Sequence, residues 1–239
     1  TEPAPSELDL ALEEKYPMPE IIPLMEIVDS WNNVPQRAFP KSVQASAPIA
    51  FELVVNGQSI GSSNVAPGSP LKPIRFGAGM LTIGNPSNPA MNKQIEVEKT
   101  NFKQLITKRY DDFVKMKTEE VTAKRDKVRA IVEADPAKMA LLTGKQISSP
   151  GGAAGSAAAE VKSVVLANLP GGRSEADAVS FNWNGTQSVG GALAGTYDTV
   201  TEGFETRTIF GVFPADYKCL LKDGQVVGWI DPITEEEVK

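Results

Sequence analysis

Glu202 and Glu205, three apart in "TVTEGFETRT", form the best-spaced local carboxylate pair in the chain. Two carboxylates alone can run glycoside hydrolysis, a reaction that needs no histidine. Residues three apart on a strand point to opposite faces, so both enter one cleft only if the chain turns at Gly203. A solvated loop is the reading this spacing favours. Most other chemistry is closed off by what is missing. Among the 239 residues there is no histidine, and Cys219 is the only cysteine. Ser-His-Asp and Cys-His nucleophile systems, the usual zinc sites and histidine ligation of haem all fall away. An intramolecular disulfide is impossible. Cys219 lies in "YKCLLK", where Tyr217, Cys219 and Leu221 share one strand face, and a buried structural thiol is expected there. No catalytic, cofactor-binding or metal residue is assigned, no cofactor is expected, and the chain reads as a non-enzyme.

Binding motifs fare little better. "GQSIGSSNVAPGS" is glycine-rich, but a phosphate loop opens a helix and adds a lysine at fixed spacing, whereas β-type sequence follows here. "DGQVVGWID" carries too few oxygen ligands at alternate positions for a calcium loop. Residues 99–129 hold ten Lys/Arg, yet five Asp/Glu are interleaved and the whole chain has a net charge of −6, so nucleic acid is not an expected partner. Trp183 and Trp229 are the candidates for a ligand-stacking surface, against core packing as the ordinary role of tryptophan.

The elements that must position these residues fall into five segments. Residues 1–40 form a Pro-rich acidic arm of net charge −6. Ser6 with Asp9 fits a capping box ahead of a helix at 7–15. "PLMEIVDSW" predicts a second helix that lines up Leu24, Ile27, Val28 and Trp31. Residues 41–100 read as short strands, with Asn56-Gly57 a hairpin turn. Residues 101–147 hold a long helix capped by Thr100 and ended by Asp135-Pro136, then a short one. The apolar stripe of the long helix includes Phe113, Val121 and Val128, and its net charge is opposite to the arm's. Residues 148–160 are Gly/Ala/Ser-rich and predict a linker. Residues 161–239 predict a C-terminal antiparallel β domain with Asp223-Gly224 at a second hairpin turn. No run of residues is long and apolar enough for a membrane span.

The stretch "FELVVNGQSIGSSNVAPGSPLKPIRF", followed by "GMLTIG" and "QIEVEKTNF", resembles the bacterial SH3-like small barrels of exported proteins. The assembly of arm, "SWNNVPQRAFPKSV", barrel and long helix is similar to exported proteins of Verrucomicrobia-type bacteria, a resemblance that implies a fold and no activity. "LVVNGQSIG" at 53–61 returns as "LLKDGQVVG" at 220–228; shared turn chemistry explains most of the likeness, with a duplicated barrel as the alternative.

The expected fold is therefore α+β, mainly β: a small SH3-like barrel, one long helix and a C-terminal β domain. The polar start "TEPAPSELDL" fits a mature exported protein, placed in the periplasm, at the cell surface or outside the cell. The expected function is a structural or interaction subunit that associates with itself or with other surface proteins. Leu24, Ile27, Val28, Trp31, Phe113, Val121 and Val128 are the candidate contacts. The alternative is a cell-wall glycan or peptide module using the barrel loops, Trp183 and Trp229.

Overall fold

The computed structural model describes residues 4–143 and 155–239. It is a mixed α and β protein, 35% helix and 40% strand, with antiparallel sheets and one long helix. The helical share exceeds the mainly-β expectation in part because a shorter helix forms where a linker was predicted. Among the described residues no helix is long and apolar enough to cross a membrane. The chain divides into two compact units. One contains the segment up to Glu20, Thr118–Thr208 and Val212–Lys239; the other contains Ile21–Lys117 and Ile209–Gly211.

The first unit begins with α1 (Glu7–Lys15). Ser6 caps it by accepting from the Asp9 N–H at 3.1 Å, and the Asp9 carboxylate accepts from the Ser6 N–H at 3.0 Å. In the second unit α2 (Leu24–Ile27) is shorter than expected. Asp29, Ser30 and Trp31 all take φ between 47° and 66°, a left-handed turn that stops the helix. The strands of this unit are β1 (Val43–Gln44), β2 (Ile49–Val55), β3 (Gln58–Val65), β4 (Pro70–Gly77), β5 (Met80–Asn85) and β6 (Asn88–Glu96). They form an antiparallel sheet ordered β1-β4-β5-β6 and a separate β2-β3 hairpin. Asn56 and Gly57 sit at φ 50° and 80°, the turn their sequence predicts. Ala78 and Gly79 make the same kind of turn between β4 and β5, with Ala78 at φ 50°.

A shift of register between Pro73 and Arg75 keeps Leu71, Pro73 and Phe76 all facing inward, although strict alternation would expose Phe76. The core of this unit gathers Val43, Phe51, Leu71, Leu81, Ile83 and Phe102, with Phe102 stacked on Phe76 at 5.4 Å.

Helix α3 (Phe102–Ala134) starts at Thr100, whose hydroxyl accepts from the Phe102 N–H at 3.2 Å. At 1.5 Å per residue it runs roughly 50 Å. Residues 102–117 belong to the second unit and 118–134 to the first. Asp135 and Pro136 end it as predicted, and α4 (Met139–Leu142) follows.

In the first unit, Val128 and Val132 of α3 pack with Ala11 and Leu12 of α1, Leu142 and Ile233. Opposite charges reinforce this packing. Arg129 meets Asp9 at 2.7 Å, and the Arg125 guanidinium donates to the Tyr16 carbonyl at 2.8 Å. Lys124 is bonded to Asp231. Burial works to raise the Asp231 carboxyl, but Lys124 and the N–H groups of Thr234 and Ile233 outweigh it and hold it below the ordinary range.

Helix α5 (Gly155–Ala167) occupies the second half of the predicted linker. The run Ala157–Ala159 has the highest helix propensity of any residue type, and an apolar stripe from Val161 follows. Residues 148–154 of that linker lie outside the described residues. The C-terminal strands β7 (Ala178–Val189), β8 (Gly195–Thr208), β9 (Gly211–Lys222), β10 (Gln225–Ile230) and β11 (Glu237–Val238) form one antiparallel sheet ordered β11-β10-β9-β8-β7. Asp223 and Gly224 repeat the positive-φ turn at 52° and 75°. The repeated nonapeptide thus closes a hairpin in both places. The second copy lies in a strand meander.

Candidate functional site

The strongest chemical anomaly in the structure is Glu202, in the middle of β8. Alternation along this strand sends Val200, Glu202 and Phe204 to one face, and all three are buried. Glu202 is 2% exposed, not in a solvated loop. Directly opposite it on β7 stands Phe181. Val165 of α5 packs with Val200, Phe204, Cys219 and Leu221 on this face. Among the described residues its Oε2 is the only buried side-chain polar atom without a hydrogen-bond partner.

A buried carboxylate without donors is costly, and the protonated form is favoured. Burial pushes Glu202 up from 4.5 to about 7, with the positive charge of Lys162 working the other way. Glu202 opens onto a cleft of about 390 Å³ whose wall includes Lys162 and Leu166 of α5, Glu175, and Ser180 and Phe181 of β7. The Lys162 ammonium lies 5.9 Å from the centre of the Phe181 ring. Gly203 is required by its neighbour: a Cβ there would come within 2.4 Å of the Ser180 hydroxyl, which accepts from the Gly203 N–H at 3.1 Å.

Glu205 does not join Glu202. β8 continues through Gly203 without turning, so the two carboxyls leave on opposite faces, and Glu205 meets Arg207 at 3.5 Å. A two-carboxylate hydrolytic site is not assembled from this pair. Cys219 is buried on the Glu202 face with Tyr217 and Leu221, as the strand pattern predicts. Burial, and then the nearby Glu202, push its thiol up to about 12, so it is not a thiolate at neutral pH. Among the described residues no group of three His, Cys, Asp or Glu is placed to hold a metal ion.

Trp229 cannot serve as a stacking surface. It is 4% exposed, its indole N–H donates to the Asn168 carbonyl at 2.7 Å, and Phe204 meets its ring edge-on at 6.1 Å. Trp183 is half-buried against the same core. The candidate contacts of the arm are largely used up within the chain. Val28 is fully buried, and Leu24, Ile27 and Trp31 pack around it on the core of the second unit. Lys103 lies over the Trp31 ring at 5.3 Å. Val128 is fully buried against α1, Phe113 stacks on Phe210 at 4.2 Å, and Val121 is half-buried.

A cluster of exposed apolar residues lies elsewhere, on the β2-β3 hairpin. Val54, Val55 and Ile60 are 55%, 45% and 61% exposed. Among the described residues no strand pairs with the outer edge of β3. The far side of β2 is partly covered, with the Lys93 ammonium donating to the Ala50 carbonyl at 3.0 Å. From residue 53 to residue 71 there is no charged side chain, and β3 itself contains no proline. Sequence reading found this hairpin but not its open edge, nor the roles of Lys162, Glu175 and Phe181. The Val-x-Glu-x-Phe alternation at 200–204 is the one signal that could have placed Glu202 inside. Comparison with protein-family models, curated proteins and solved structures gives no match for this chain.

Proposed function

We propose that this chain is a non-catalytic structural or interaction protein that associates with itself, a subunit of an assembly at the cell surface or in the periplasm. Its second unit is read as an SH3-like barrel. Supporting that reading are the short antiparallel strands β2–β6, two tight positive-φ hairpins, and one shared core beneath them.

The observation that carries the proposal is the outer edge of β3. An exposed strand edge is a template for pairing, and proteins ordinarily blunt it with lysine, proline or an inward charge. β3 has none of these, and apolar Ile60 stands on its surface beside Val54 and Val55. Two copies can pair antiparallel about a twofold axis through this edge without bringing like charges together. The contact therefore moves from the arm, whose apolar residues cover their own chain, to the hairpin.

Light scattering coupled to size exclusion tests this on the full chain and on the Ile60→Lys/Ser62→Lys double variant. The chain is expected as a defined oligomer of the 25.6 kDa subunit, and the double variant as the monomer. A monomeric parent at several hundred micromolar, or an oligomer indifferent to both lysines, would overturn the proposal. Cell fractionation checks the placement outside the cytoplasm.

A further inference from the structure

We propose that the cleft between α5 and strands β7 and β8 is a binding site for a small primary amine, with Glu202 as its buried counter-ion and Phe181 as its floor. Glu202 is 2% exposed, and its Oε2, which finds no donor among the described residues, has an unmet demand for an N–H or O–H group. It lines a cleft of about 390 Å³, ample for a ligand of a few heavy atoms. The lining favours a cation. Two acidic residues, Glu202 and Glu175, and one basic residue, Lys162, line the cleft, and the π-face of Phe181 attracts positive charge.

The chain itself supplies the precedent for the ligand. The exposed, long and flexible Lys162 rests its alkylammonium 5.9 Å above Phe181 and feels the field of Glu202, without an ion pair to it. An amine entering from solvent would make the interaction that Lys162 makes only at a distance, so Lys162 acts as an internal competitor. Lys162 of α5 acts on Glu202 directly, Cys219 of β9 lies near it, and Glu175, from the turn before β7, lines the same cleft. The thiol stays protonated and adds no charge near neutral pH. Amine binding requires the ionised carboxylate. With Glu202 titrating near 7, its ionised fraction falls about 30-fold from pH 8 to pH 5.5, and affinity is expected to fall with it.

The experiment is an NMR titration of the full chain with n-butylamine at pH 8, with n-butanol and butyrate as neutral and anionic controls of similar size. Butylamine is expected to shift the amides around Glu202, Phe181 and Lys162 at millimolar concentration, and both controls to bind at least tenfold more weakly. Lys162→Ala is expected to tighten amine binding severalfold, and Glu202→Gln to weaken it at least tenfold. If Glu202→Gln fails to fold, the loss of affinity in the parent chain between pH 8 and pH 5.5 tests the same point. No shifts at 50 mM amine, equal binding of butanol, pH-independent binding, or weaker binding by Lys162→Ala would each overturn the assignment.

Discussion

Replacing Glu202 by glutamine keeps the side chain's shape and removes its charge, which makes it a direct probe of how much the buried carboxyl costs the fold. In the folded protein Glu202 holds its proton up to about pH 7, whereas in the unfolded chain it releases it near 4.5. Between those values the unfolded state binds fewer protons than the folded one. Stability must therefore fall as pH rises through this window and level off above about pH 8. A shift of this size sets a ceiling of about 3 kcal/mol. Solvent screening reduces that ceiling, so the expected loss is about 1–2 kcal/mol.

Urea unfolding of the parent chain and of Glu202→Gln, from pH 4.5 to 8.5, measures it. The glutamine variant is expected to gain about 1–2 kcal/mol on the parent across the window and to match its pH slope above it. Asp9, held down to about 2 by the Ser6 hydrogen bonds and Arg129, titrates below this range and is common to both proteins. The depressed Asp177, Asp231 and Glu236 likewise cancel in the difference. Parallel pH profiles for the two proteins would refute the reasoning, because they would mean that Glu202 titrates as it does in water.

Two further perturbations test the packing. Ala78 sits at φ 50°, where its Cβ crowds the following carbonyl, and Ala78→Gly is expected to raise stability by about 0.5–1 kcal/mol in urea unfolding; a loss would show the turn is held in some other way. Trp229→Phe deletes the hydrogen bond to the Asn168 carbonyl and leaves a void beside Phe204, so a loss of about 1–2 kcal/mol is expected. An unchanged midpoint would mean that the indole N–H contributes nothing.

Much of this molecule is written locally, and there the sequence is a sufficient guide. Ser6 and Asp9 cap α1, Thr100 and Asp135-Pro136 bound α3, and Asn56-Gly57 and Asp223-Gly224 close hairpins, because each feature depends on a few adjacent backbone groups. The opposite charges of arm and helix meet within the chain as Arg129 on Asp9. What local pattern could not supply is which surface covers which. Leu24, Ile27, Val28 and Trp31 show an apolar face, but only the tertiary structure decides that their own chain covers it. Glu202 and Glu205 look like equals three residues apart. β8 runs straight through Gly203 and α5 lies over one face only, so one carboxyl is buried without a donor among the described residues while the other stays within reach of an arginine. Local hydrogen bonds are fixed by neighbours in sequence; burial, and with it the acidity of Glu202 and the open edge of β3, is fixed by elements far away along the chain.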